Sequence, residues 1–257
     1  MEVRGAALAT LLAQVLSAAG MFLYFLYKGK ELWPEKKERY FSKKVLLHVI
    51  QQSSLTAIQQ SIMNFGILMV QGLVNSLGFA VSAAFAAGVK IDAFAYMPAQ
   101  DFGNAFSTYV AQNNGAGKTE RIRKGTYTAM AMSGGYCLVS SAFVWILARP
   151  LIGIFLKQEE TGIIGVGMEY LRTEGACYIG IGILFLLYGY FRGMGKPFLS
   201  IVLTIISLGS RVLLAYILAA IPAIGRVGIW WSVPIGWALA DITGILVYIL
   251  NNKRDKK

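Results

Sequence analysis

Residues 198–220 read FLSIVLTIISLGSRVLLAYILAA, twenty-three residues with a single charge, Arg211. A helix of that length rises about 35 Å, enough to cross a hydrocarbon core of about 30 Å. Six other segments have the same character: 5–27, 45–74, 80–112, 126–148, 166–190 and 228–250. Composition agrees, since 56% hydrophobic residues, 14% charged residues and a mean hydropathy of +0.57 are wrong for a soluble domain. Backbone groups in lipid must be satisfied within their own segment, and the runs are too long for the strands of a membrane barrel. The sequence therefore predicts an all-α integral membrane protein with seven transmembrane helices. Its expected partner is the lipid bilayer.

The formal charge of +11 does not point to nucleic acid, because the basic residues form no single face or tail. They follow topology instead. Alternate connections 28–44, 113–125, 191–197 and 251–257 carry 17 Lys/Arg, and the opposite set carries only Arg4, Arg149, Lys157 and Arg226. The positive-inside rule then places the amino end outside and the carboxyl end in the cytoplasm of a multi-pass plasma membrane protein. Cys137 and Cys177 fall inside apolar spans, which argues against a disulfide framework or metal cluster. His48 reads as an interfacial residue beside Lys43 and Lys44.

Four stretches follow from this pattern: a first helix at 1–27, a basic linker at 28–44, a six-helix unit at 45–250 and a basic tail at 251–257. The linker carries Pro34, Trp33, Tyr40 and Phe41, suited to the headgroup level. The remaining connections are short, so successive helices are antiparallel neighbours in one bundle. The first helix is left over. GAALAT at 5–10 resembles GWALAD at 236–241, as if the first and seventh spans were one element of two successive repeats.

Polar side chains inside these spans are costly and mark packed interiors or watery cavities. On the second span Gln52, Thr56, Gln60 and Asn64 recur every four residues, and Gln71 and Asn75 extend the face. Interhelical hydrogen bonding and the lining of a substrate path are both open readings of that stripe. The third span contains Pro98 and must tilt, bend or protrude. Lys90, Phe94, Met97, Asp101 and Thr108 share one of its faces, with Tyr96 and Asn104 near Asp101 in sequence. Asp101 is tolerable if it faces water, a cation, a proton or a neighbouring helix. Asp92 lies nearer the outer surface, where water accounts for it. Glu169 and Arg172 are spaced as an i,i+3 pair at a solvated helix entrance with Glu174, while Arg211 and Asp241 either pair or reach the interface. No metal-ligand set, nucleophile with a base, or phosphate loop assembles, so no enzyme and no cofactor is expected.

Four motifs remain: STYVAQNNGAGKTERIRKG at 107–125, LYGYFRGMGKPFLS at 187–200, GIWWSVPIGWALAD at 228–241 and GAALATLLAQ at 5–14. In this order they resemble stretches of the multidrug and toxic compound extrusion (MATE) family over essentially the whole chain. The resemblance implies two similar six-helix lobes around a cavity open alternately to each side. It also implies export of lipophilic organic cations against inward flow of H+ or Na+. This chain would hold helices six to twelve: the carboxyl-terminal lobe and the last helix of a missing amino-terminal lobe. It would thus be a truncated antiporter needing that lobe as partner. The acidic residues of the sodium-coupled, NorM-like branch fall at Met63 and Ile181, so the chain is DinF-like in lacking them. The expected substrate and ion path comprises Asp101, Lys90, Gln60, Asn64, Tyr96, Met97, Asn104 and Gln52. Alternatives are a non-transporting or assembly-only fragment, and a lipid-linked oligosaccharide flippase of the same superfamily.

Overall fold

The computed structural model describes residues 2–29, 41–156 and 161–254. The centre of the basic linker with Pro34, Trp33 and Tyr40, Lys157 and the last three residues of the tail lie outside them. Among the described residues there are nine helices and no strand. They are α1 (Glu2–Lys28), α2 (Lys43–Ser76), α3 (Phe79–Gly115), α4 (Thr119–Ile146), α5 (Ala148–Gly153), α6 (Thr161–Gly175), α7 (Tyr178–Gly193), α8 (Pro197–Ala219) and α9 (Arg226–Arg254). Six are long and apolar enough to cross a membrane, and α6 with α7 supplies a seventh, bent span.

The chain divides into two compact units, Met1–Val49 and Ile50–Lys257. The first holds α1, apolar along most of its length, and the opening turns of α2. The second holds everything else and builds one hydrophobic core.

Within the second unit, glycine lets backbones approach. A Cβ on Gly103 of α3 would stand 2.7 Å from the Phe185 carbonyl oxygen, and one on Gly193 of α7 would stand 2.6 Å from that of Ser107. A Cβ on Gly189 would run into the Gly103 carbonyl oxygen. Close approach through small residues is the main route to helix association in lipid, where apolar side chains gain little by leaving the acyl chains. Part of the core is aromatic. Phe85 of α3 stacks on Trp230 of α9 at 5.6 Å between centroids, and Tyr170 of α6 meets each ring edge-on at 5.1 Å.

Residues 166–190, expected as one continuous span, are broken. α6 ends at Gly175, α7 begins at Tyr178, and the two are bent by 51°. A break at membrane depth must find partners for its freed backbone groups. Here Ala176 N–H donates to Arg172 O, Cys177 N–H to Glu174 O and Gly180 N–H to Cys177 O, at 2.9–3.2 Å. Pro98, by contrast, sits inside α3 without ending it. That helix runs 37 residues, about 55 Å.

The helix ends at Gly115-Ala116-Gly117-Lys118 and Gly193-Met194-Gly195-Lys196 are built alike. Gly117 and Gly195 take φ of 66° and 72°, a left-handed conformation that glycine adopts without a Cβ penalty. Lys118 N–H then donates to Asn113 O and Lys196 N–H to Phe191 O, closing the last helical turn in each case.

Candidate substrate cavity and cation site

Two cavities meet inside the second unit. The larger, about 690 Å³, lies between α2, α3 and α7 and is walled by Gln52, Gln59, Gln60, Gln100, Asn104 and Arg192 over a floor of Phe185 and Tyr188. The smaller, about 90 Å³, lies deeper among α2, α3, α6, α7, α8 and α9 and holds Asp92, Tyr96, Tyr170, Glu174 and Arg211. Met63, Phe185 and Tyr188 belong to both walls.

The larger cavity is polar because α2 presents a polar side chain every turn. Gln52, Thr56 and Gln60 face it, as the four-residue spacing anticipates. Gln59, one step round the helix, is buried and donates through Nε2 to Thr204 Oγ1 of α8 at 3.1 Å. Across the cavity, Arg192 Nη2 donates to Asn104 Oδ1 at 2.7 Å, tying the end of α7 to α3. Among the described residues Arg192 is the only charged one in this wall, and none of them brings a carboxylate to it.

The smaller cavity is acidic. Asp92, which the sequence placed near outer water, is only 2% exposed, and Tyr178 O–H donates to its Oδ1. Glu174, expected at a solvated entrance, is 4% exposed. Asp92 Oδ2 and Glu174 Oε1 have no hydrogen-bond partner, nor does Arg211 Nε. Among the described residues these three are the only charged ones in the wall. The helix break accounts for Glu174: it stands on the last turn of α6, just before the chain turns inward as α7.

Of the residues expected on a transport path, Gln52, Gln60 and Asn104 line the polar cavity and Tyr96 the acidic one. Asn64, Met97 and Asp101 are exposed and line neither. Asp101 stands one residue, about 100° of helix rotation, round α3 from Gln100. Lys90 is also exposed, its Nζ 5.6 Å from the centre of the Phe155 ring and away from both cavities. Gln71 and Asn75, farther along the α2 stripe, bond each other at 2.9 Å. Two expected pairings take other forms. Glu169 bonds Arg226 at 3.0 Å, Arg172 lies 5.1 Å over Trp145, and Arg211 and Asp241 do not appear among the ion pairs of the described residues. Asp241 is buried with Oδ1 unpartnered, and it lines neither cavity.

A family model described as MatE matches residues 56–217, most of the chain and most of the residues that line the two cavities. The chain belongs to the MATE family. A Thermotoga maritima relative named probable multidrug resistance protein NorM is 26% identical over all of this MATE chain and 55% of its own length. A Shewanella oneidensis relative named FAD transporter is 24% identical over 86% of the chain and 48% of its own length. The fold matches a solved structure described as the outward-facing conformation of a multidrug resistance MATE family transporter. Its TM-score is 0.87 at 22% identity, over 98% of this chain and 56% of that one. The chain thus spans about half the length of the relatives it matches. MATE proteins are transporters, and this one is a multi-pass membrane protein. Met63 and Ile181, where the sodium-coupled branch would place acids, both face the acidic cavity, whose carboxylates come from Asp92 and Glu174 instead.

Proposed function

We propose that this chain forms one lobe of a cation-coupled MATE exporter working by alternating access, with the coupling ion, H+ or Na+, held between Asp92 and Glu174. One observation carries the reading: two buried carboxylates, each with an unpartnered oxygen, open into one cavity inside a membrane bundle. Unpaired buried charge is expensive, and the expense is offset when a cation or proton arrives. Hard oxygen donors suit both ions. The small cavity has room for an ion with about two waters, taking about 30 Å³ for each water. Phe185 and Tyr188, common to both cavities and 6.3 Å apart between ring centres, give the ion a direct mechanical path to the substrate wall.

Reconstitution with an amino-terminal lobe tests this. Asp92→Asn and Glu174→Gln should each abolish the dependence of export on an inward cation gradient, and unchanged coupling in the double variant would overturn the reading.

For the substrate, lipophilic organic cations fit a polar cavity floored by Phe185 and Tyr188 and edged by flexible Met63, with Asp101, exposed on α3 outside both cavities, as a counter-charge met before entry. Arg192 favours a second reading, an aromatic organic anion: among the described residues the guanidinium is the only charge lining the polar cavity, whose wall it shares with the rings of Phe185 and Tyr188. A cation within 4 Å of it would meet about 4 kcal/mol of repulsion at an effective dielectric of 20. The relative named FAD transporter is consistent with that alternative. Ethidium export lost in Asp101→Asn supports the cation. Loss of flavin nucleotide export in Arg192→Gln with ethidium unaffected supports the anion.

A further inference from the structure

We propose that Arg211 sets the charge of the ion the Asp92–Glu174 cavity accepts: its guanidinium is a resident positive charge that limits the site to one monovalent cation and excludes a divalent one. The inference rests on the reading of those carboxylates as the ion site and adds what determines its selectivity.

Arg211 is the one charge in the apolar run of α8. Its side chain lines the same small cavity as both carboxylates, with Nε unpartnered, and it forms none of the ion pairs among the described residues. Its stem is held in place, because α9 passes it at Gly236, where an added Cβ would stand 3.3 Å from Arg211 Cβ. Arginine keeps its proton in proteins, so its charge is fixed whatever the ion does. With both carboxylates ionised, the three charged groups in the wall carry a formal sum of −1. In a low-dielectric site that sum decides what enters. A sodium ion or a proton brings it to zero, and a calcium ion would leave it at +1. Without the guanidinium the sum is −2, and calcium becomes the neutralising ion.

Equilibrium binding of radioactive Na+ and Ca2+ to the purified chain tests the proposal. Wild type should take up no measurable Ca2+ at millimolar concentrations. Arg211→Gln should bind Ca2+ at least about tenfold more tightly, and Arg211→Lys, which keeps the charge, should behave as wild type. Adding Asp92→Asn to Arg211→Gln returns the sum to −1, so the double variant should lose the Ca2+ gain and keep single-site Na+ binding. Wild-type Ca2+ affinity in Arg211→Gln overturns the proposal, as does an equal gain in Arg211→Lys, which would make the effect one of packing. A double variant that retains the full Ca2+ gain instead overturns the underlying reading, since Asp92 would not be a ligand. If Arg211→Gln fails to fold, the apolar Arg211→Met of similar length carries the same expectations.

Discussion

Asp92 and Tyr178 lie 86 residues apart in sequence and share one hydrogen bond. Tyr178→Phe removes the donor and leaves a second carboxylate oxygen of Asp92 without a partner, at a cost of about 1–3 kcal/mol. A lower melting temperature in detergent is the expected result, and an unchanged one would show that the bond contributes nothing. The Glu169–Arg226 pair is the contrast. Its side chains are 32% and 47% exposed, so solvent screens it and Arg226→Gln should cost less than about 1 kcal/mol in the same assay. These residues also show what sequence reading can and cannot reach. The amides of α2 were legible as a polar face because a four-residue spacing is a local property of one helix. Asp92 was not, because its burial depends on a tyrosine brought from α7. Glu174 was missed because its neighbours Glu169 and Arg172 have the spacing of a solvated pair, and nothing nearby signals that the helix turns inward after Gly175. Asp101 drew attention for its depth in an apolar run, yet depth along a helix does not fix the direction its side chain takes round the axis.

Helices are held together here at a few positions where side chains are absent. Gly189→Ala places a Cβ against the Gly103 carbonyl oxygen, backbone that cannot move aside alone, so α3 and α7 must separate. Overpacking of this kind costs about 1–3 kcal/mol, and the variant should melt earlier and be cleaved faster by protease. Gly209, inside α8, has nothing within 4 Å of an added Cβ, and Gly209→Ala should gain about 0.5–1 kcal/mol from helix propensity alone. Equal stability in the two variants would mean that the α3–α7 crossing is not set by glycine. The six unbroken spans were readable because apolar length alone determines which segments can cross a bilayer. The bend between α6 and α7 was hidden from the same count: residues 166–190 have the length of one span although Glu169, Arg172 and Glu174 crowd its opening turns, and only the backbone bonds of Ala176, Cys177 and Gly180 reveal where the helix stops. The six-residue α5 went unseen for the opposite reason, since it is too short to impose a period.

Alternating access requires two surfaces that move against each other, and the second unit of this chain offers one. Its polar cavity is walled by α2, α3 and α7, with Gln60 and Asn104 still exposed. In this lobe by itself, a substrate held there would be desolvated from one side only, and an ion held between Asp92 and Glu174 as proposed would have no second lobe whose position it could bias. Binding and transport therefore separate at this scale. The chain expressed by itself in a pump-deficient host is expected to leave resistance to ethidium and similar dyes unchanged, while co-expression with an amino-terminal MATE lobe restores export. Dye efflux measured in both strains decides the point, and resistance conferred by the lone chain would require a transport path within a single lobe. Partial restoration has its own signature: if the lobes assemble but the ion site is disabled by Glu174→Gln, dye should equilibrate across the membrane without accumulating outside. A conducting cavity uncoupled from its ion dissipates a substrate gradient instead of building one.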